Sequence, residues 1–135
     1  MMRERLVISR HMETLLLIGF GGFIGANLRY WMTGWVAERL GQTFPWGTLV
    51  INLSGSLLLA VFIGWSAQHV TLDPRVRMLV AIGFFGAYTT FSTYANESIL
   101  LMESGDWLGA VSNVLGTNLV CLVGAIVELA IGRQL

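Results

Sequence analysis

The chain has 135 residues, 55% hydrophobic and 12% charged. A soluble domain carries roughly 25% charged residues, so this composition belongs in a membrane. Eight Arg and no Lys are balanced by eight acids, which leaves no basic excess of the kind that binds nucleic acid.

A span of the hydrocarbon core needs about 20 helical residues. Four segments are long enough, at 14–37, 46–67, 76–102 and 107–132, joined by short connections at 38–45, 68–75 and 103–106. The expected fold is therefore an all-α membrane protein, with residues 1–135 forming one four-helix unit. Arg3, Arg5 and Arg10 precede no short apolar core with a small-residue cleavage site, so no removable signal peptide is expected.

The first segment carries Gly19, Gly21, Gly22, Gly25 and Ala26. Gly21 with Gly25, and Gly22 with Ala26, form small-xxx-small faces that let helices approach closely. The spacing does not match a nucleotide-binding glycine loop, and no strand precedes it. Arg29 follows on the same helix. It either faces a bundle interior or wet cavity, or snorkels to the interface beside Tyr30, Trp31 and Trp35.

Pro45, Trp46 and Gly47 make a helix start with an interfacial aromatic. Thr48, Asn52 and Ser56 then share one helix face. Asn52 lies deep enough to require partners, either as glue between helices or as pore lining. The following connection holds His69, Asp73, Pro74, Arg75 and Arg77. No second His or Cys lies near His69 at metal spacing, and His11 is similarly unremarkable in the N-terminal tail.

The third segment is interrupted at 83–94, reading Gly-Phe-Phe-Gly-Ala-Tyr-Thr-Thr-Phe-Ser-Thr-Tyr. Gly86 lowers the cost of leaving helical geometry. Hydroxyls at Thr89, Thr90, Ser92 and Thr93 compete with the helix ladder. The run is either a helix break that coordinates something, as interrupted membrane helices do, or a small-residue packing face. Glu97 follows closely and needs an Arg, a hydroxyl or water as partner.

In the fourth segment Gly109, Asn113, Thr117 and Cys121 recur every four residues. The lone Cys121 excludes an internal disulfide framework and reads as a small buried residue. Glu128 lies near enough to the end to snorkel. Two polar stripes and a polar interruption on neighbouring helices favour a polar pathway over three separate cases of glue.

Pro-Trp-Gly-Thr-Leu-Val-Ile-Asn-Leu at 45–53 and Gly-Phe-Phe-Gly-Ala-Tyr-Thr-Thr-Phe-Ser-Thr at 83–93 resemble the bacterial fluoride channel family, Fluc or CrcB. Gly-Ala-Asn-Leu-Arg at 25–29 and Asn-Val-Leu-Gly-Thr at 113–117 resemble that family's helix-one and helix-four motifs. The resemblance implies a fluoride channel, not an enzyme, in the bacterial plasma (inner) membrane, exporting fluoride down its gradient to relieve toxicity. It implies an antiparallel, dual-topology homodimer with helix three broken mid-membrane and two pores. A structural sodium ion would lie at the dimer centre on the carbonyls of Gly86 and Thr89. The pore residues would be Asn52, Phe91, Ser92, Thr93, Tyr94, Asn113 and Thr117, with Arg29 in a vestibule. Two positions depart from the family pattern: Tyr94 stands where Phe is usual, and Ala87 where a second Gly is common.

With four spans, the positive-inside rule sets Arg3, Arg5, Arg10, Arg75, Arg77 and Arg133 against Arg39, which favours a single orientation. The implied antiparallel dimer needs both orientations. A start at Met12 would remove the first three arginines, and mixed orientation is the expectation. Two other classes remain beside the channel. A small multidrug-type four-helix transporter would need an acid within helix one, where Glu13 lies only at the start. A structural membrane partner would need no interrupted third helix.

Overall fold

The computed structural model describes residues 2–69 and 72–134, with side chains at residue 8 and from residue 10 onward within those limits. The side chains of Arg3 and Arg5, and residues 70 and 71 of the second connection, lie outside the described residues. Among the described residues all regular structure is helical. Four stretches are long and apolar enough to cross a membrane: Arg10–Leu40, Trp46–Gln68, Pro74–Glu103 and Trp107–Gly132.

Helix α1 (Met2–Leu40) begins well before residue 14. Residues 2–13 contain no Gly or Pro, and their Arg, Glu, Leu and Met propagate a helix readily. It stops at Gly41, which takes φ +86° and returns its N–H to Ala37 O at 3.0 Å, the left-handed ending glycine permits. Helix α2 (Trp46–Gln68) starts directly after Pro45. Asp73 caps α3 (Pro74–Arg77) by accepting the Arg75 N–H at 2.9 Å.

The third span then changes character twice. A π-helical stretch, Met78–Phe85, leads into the single turn α4 (Gly86–Tyr88), and α5 (Phe91–Glu103) follows two residues later. A tight turn through Gly105, at φ +83°, leads to α6 (Trp107–Gly132). Asp106 caps that helix by accepting the Gly109 N–H at 2.8 Å.

Helix α2 packs along α6, α1 along the π-helical stretch, and α5 along α6. Glycine sets these approaches. A methyl group at Gly21 would strike Leu79 O, one at Gly25 would strike Phe84 O, and one at Gly83 would come within 2.8 Å of Ile18 O. Gly64 and Gly132 bring α2 and α6 together in the same way.

The interior is thin and half polar. Ile51, Phe85 and Tyr88 form its apolar centre, while Thr48, Ser66, Thr90, Ser98, Asn113 and Thr117 are as deeply buried. Large apolar side chains face outward instead, Phe23 at 69% exposure and Leu108 at 79%. That arrangement suits lipid, where apolar burial no longer drives helices together and close backbone packing and hydrogen bonds do.

The glycine approaches are testable. Gly25→Ala should destabilise the protein by about 1–3 kcal/mol through overpacking. Gly19, which has nothing within 4 Å, should accept Ala without loss, because Ala gains up to about 1 kcal/mol of helix propensity. Thermal melting of the two variants in detergent compares them, and equal midpoints would contradict the packing.

Candidate functional site

The site grows from two residues. Thr89, at φ −81° and ψ 159°, and Thr90, at φ −150° and ψ 119°, are extended between α4 and α5. Consecutive β-branched residues are stiff and poor in a helix, and their hydroxyls supply local partners. Thr89 Oγ1 donates to Phe85 O at 3.0 Å. Thr90 Oγ1 accepts the Thr93 N–H at 3.3 Å and so caps α5.

Thr90 is buried, and buried backbone groups must find partners. Asn52 supplies both. The Thr90 N–H donates to Asn52 Oδ1 at 2.8 Å, and Asn52 Nδ2 donates to Thr90 O at 3.0 Å. One side-chain amide thus pairs with a whole residue as a neighbouring strand would.

This clamp frees other groups. In a continuous helix, Gly86 O would receive the Thr90 N–H and Thr89 O the Thr93 N–H. Those donors now serve Asn52 Oδ1 and Thr90 Oγ1. Thr89 O accepts a contact from Arg29 Nη1 at 3.5 Å, too long to hold it strongly. Gly86 is exposed, and a methyl group there would meet only Ala81 O, at 3.9 Å. Among the described residues no three His, Cys, Asp or Glu side chains converge. A hard cation takes oxygen ligands, the donor type that these two carbonyls supply.

Thr90 also separates two spaces. On one side lies a groove of about 590 Å³ lined by Arg29, Thr33, Glu38, Thr48, Thr90 and Thr93. On the other lies a cavity of about 290 Å³ whose lining includes Asn52, Thr90, Phe91, Tyr94, Thr117 and Asn118. The Phe91 and Tyr94 rings are tilted by 55° with centroids 5.5 Å apart. Arg29 therefore opens onto the first space and the ring pair onto the second.

The structure gathers Asn52, Phe91, Tyr94 and Thr117 at one cavity and sends Thr93 to the opposite groove. Ser92 Oγ lies 3.3 Å from Thr90 Oγ1 on the bridging turn. Asn113 is 1% exposed and sits behind the cavity. Its Nδ2 donates to Ser98 Oγ at 2.9 Å and its Oδ1 accepts from Thr117 Oγ1 at 3.1 Å, tying α6 to α5. Thr48 donates to Glu97 Oε1 at 2.9 Å, while Glu97 Oε2 is buried without a partner among the described residues.

Asn118 is the cavity-lining residue that spacing missed. It lies one position beyond the four-residue stripe of α6, yet its Nδ2 donates to Tyr94 Oη at 2.7 Å. The usable signal was its cost, because an amide inside an apolar span must have a partner.

A family model described as "CrcB-like protein, Camphor Resistance (CrcB)" matches residues 16–129. The fluoride-specific ion channel FluC of Koribacter versatilis is 42% identical over 120 residues, covering 89% of this chain and 95% of that protein. FluC of Geotalea daltonii is 38% identical over 124 residues, covering 92% of this chain and 100% of that protein. FluC of Chloroflexus aurantiacus is 38% identical over 122 residues, covering 90% and 97%. With a match through all four spans and relatives of nearly the same length, the chain belongs to the CrcB-like family.

Proposed function

We propose that this chain is a fluoride-selective ion channel, and not an enzyme, that exports fluoride down its electrochemical gradient and relieves its toxicity. It is a multi-pass bacterial membrane protein, acting in the plasma membrane. The observation that carries the reading is the cavity beside Thr90, which joins side-chain amides, hydroxyls and two aromatic rings in a chain whose relatives are named fluoride-specific channels.

Fluoride is small and strongly hydrated, so a pore must replace its water with donors. Asn52 keeps a second N–H beyond the one given to Thr90 O. The electropositive edges of Phe91 and Tyr94 face an anion favourably. The N-terminus of α5 begins at Phe91, and its dipole favours negative charge there. In the opposite groove Arg29 raises the local anion concentration, as a positively lined mouth does. Ser92, Thr93 and Thr117 complete the polar track on either side of the extended turn, with Asn113 supporting Thr117 from behind.

The working unit is an antiparallel homodimer with two pores, in which the Thr89–Thr90 turn is a mid-membrane break of the third helix. The open face at Gly86 supports a second copy there. Gly86 and Thr89 carbonyls from both copies would hold sodium, which when bound supplies a fixed positive charge linking the two turns. A small multidrug-type transporter fits less well. Its proton-carrying acid would have to be Glu13, whose carboxylate is paired with Arg75 Nε at 2.8 Å.

Two measurements follow. In liposomes loaded with fluoride, Phe91→Ile and Tyr94→Ile should slow efflux at least about tenfold while the dimer still assembles. If the rings merely pack, Phe91→Ile should cost about 1 kcal/mol of stability or a little more, and efflux should survive in both variants. An experimental structure of the dimer should show antiparallel protomers and central density between the Gly86 and Thr89 carbonyls, retained in Thr89→Ser because the ligands are backbone atoms. Parallel protomers or a closed third helix would contradict the assembly.

A further inference from the structure

We propose that the Tyr94 hydroxyl is a hydrogen-bond donor to the permeating anion, and that Asn118 is the positioning residue that aims it. The inference rests on the fluoride reading and adds a group to its pathway.

Hydrogen-bond accounting carries it. Asn118 Nδ2 lies 2.7 Å from Val114 O and 2.7 Å from Tyr94 Oη. The carbonyl at Val114 fixes which amide atom is nitrogen, because an amide oxygen there would face another acceptor. That nitrogen has two hydrogens and nothing to accept with. Tyr94 Oη is therefore the acceptor, and its own proton points elsewhere. Within the protein its acceptor is Val114 O at 3.5 Å, a long contact to an oxygen already served by Asn118.

The neighbouring donors are differently placed. Thr117 gives its proton to Asn113 Oδ1 at 3.1 Å, and Asn52 gives one N–H to Thr90 O at 3.0 Å. Tyr94 is 7% exposed and lines the same cavity as Asn118, Asn52 and Phe91. A buried hydroxyl with a weak partner costs free energy, and a dehydrated fluoride ion is a strong acceptor that would relieve it. Asn118 is itself costly in a membrane span. Apart from a bond to its own helix at Val114 O, its side-chain hydrogen bond among the described residues is to this hydroxyl.

The test is the fluoride dependence of channel current in planar bilayers for wild type, Tyr94→Phe, Asn118→Leu and the double variant. All four should conduct. Each single variant should raise the half-saturating fluoride concentration several-fold, about the factor for one net hydrogen bond. The double variant should be no worse than the singles, because Asn118 acts through Tyr94. An unchanged half-saturation in Tyr94→Phe overturns the proposal, even if Asn118→Leu fails to assemble. Additive losses in the double variant overturn the positioning role. Absence of fluoride current in the wild type would instead defeat the channel reading itself.

Discussion

Two hydrogen bonds between Asn52 and Thr90 hold the extended turn between α4 and α5. Each buried backbone group left without a partner would cost about 1–3 kcal/mol, and lipid offers no water to replace one. Without Asn52, Thr90 would do better to rejoin the helix. Thr89 O and Gly86 O would regain their ladder donors, and the N-terminus of α5 would no longer open beside Phe91. The chemistry of the site therefore depends on one amide on a neighbouring helix.

The rest of the fold supports that arrangement through close approach and not through a large core. Gly21, Gly25 and Gly83 bring α1 against the π-helical stretch, so Arg29 reaches Thr89 O from one side while Asn52 reaches Thr90 from another. Asn113 joins Ser98 to Thr117 and fixes α6 against α5, which sets the far wall of the cavity. Polar groups inside and apolar groups outside invert the usual pattern of a soluble domain, as the change of solvent requires.

Much of this was legible in the sequence because lipid imposes strong rules. Hydropathy and length gave the four spans, and the face shared by Thr48, Asn52 and Ser56 pointed inward. Partners across helices were not legible, since they depend on how each helix is rotated and tilted. Thr48 shares its face with Asn52 yet bonds to Glu97, and Thr93 turns to a different space from Tyr94. The α6 stripe drew attention to Asn113 and Thr117, whose groups satisfy each other. Asn118, off the stripe, is the residue that meets the Tyr94 hydroxyl. The early start of α1 was missed because hydropathy reports where a span lies, not where a helix begins.

The most direct test of the central claim is fluoride efflux from liposomes holding equal amounts of wild-type and Asn52→Leu protein, each taken as folded dimer from gel filtration. Leucine keeps the branching of asparagine at Cγ and makes neither bond to Thr90. The account predicts rapid fluoride release by the wild type and release slowed at least about tenfold in the variant, the scale of two lost hydrogen bonds. Equal rates would contradict it, because fluoride would then pass without the amide that pairs with Thr90.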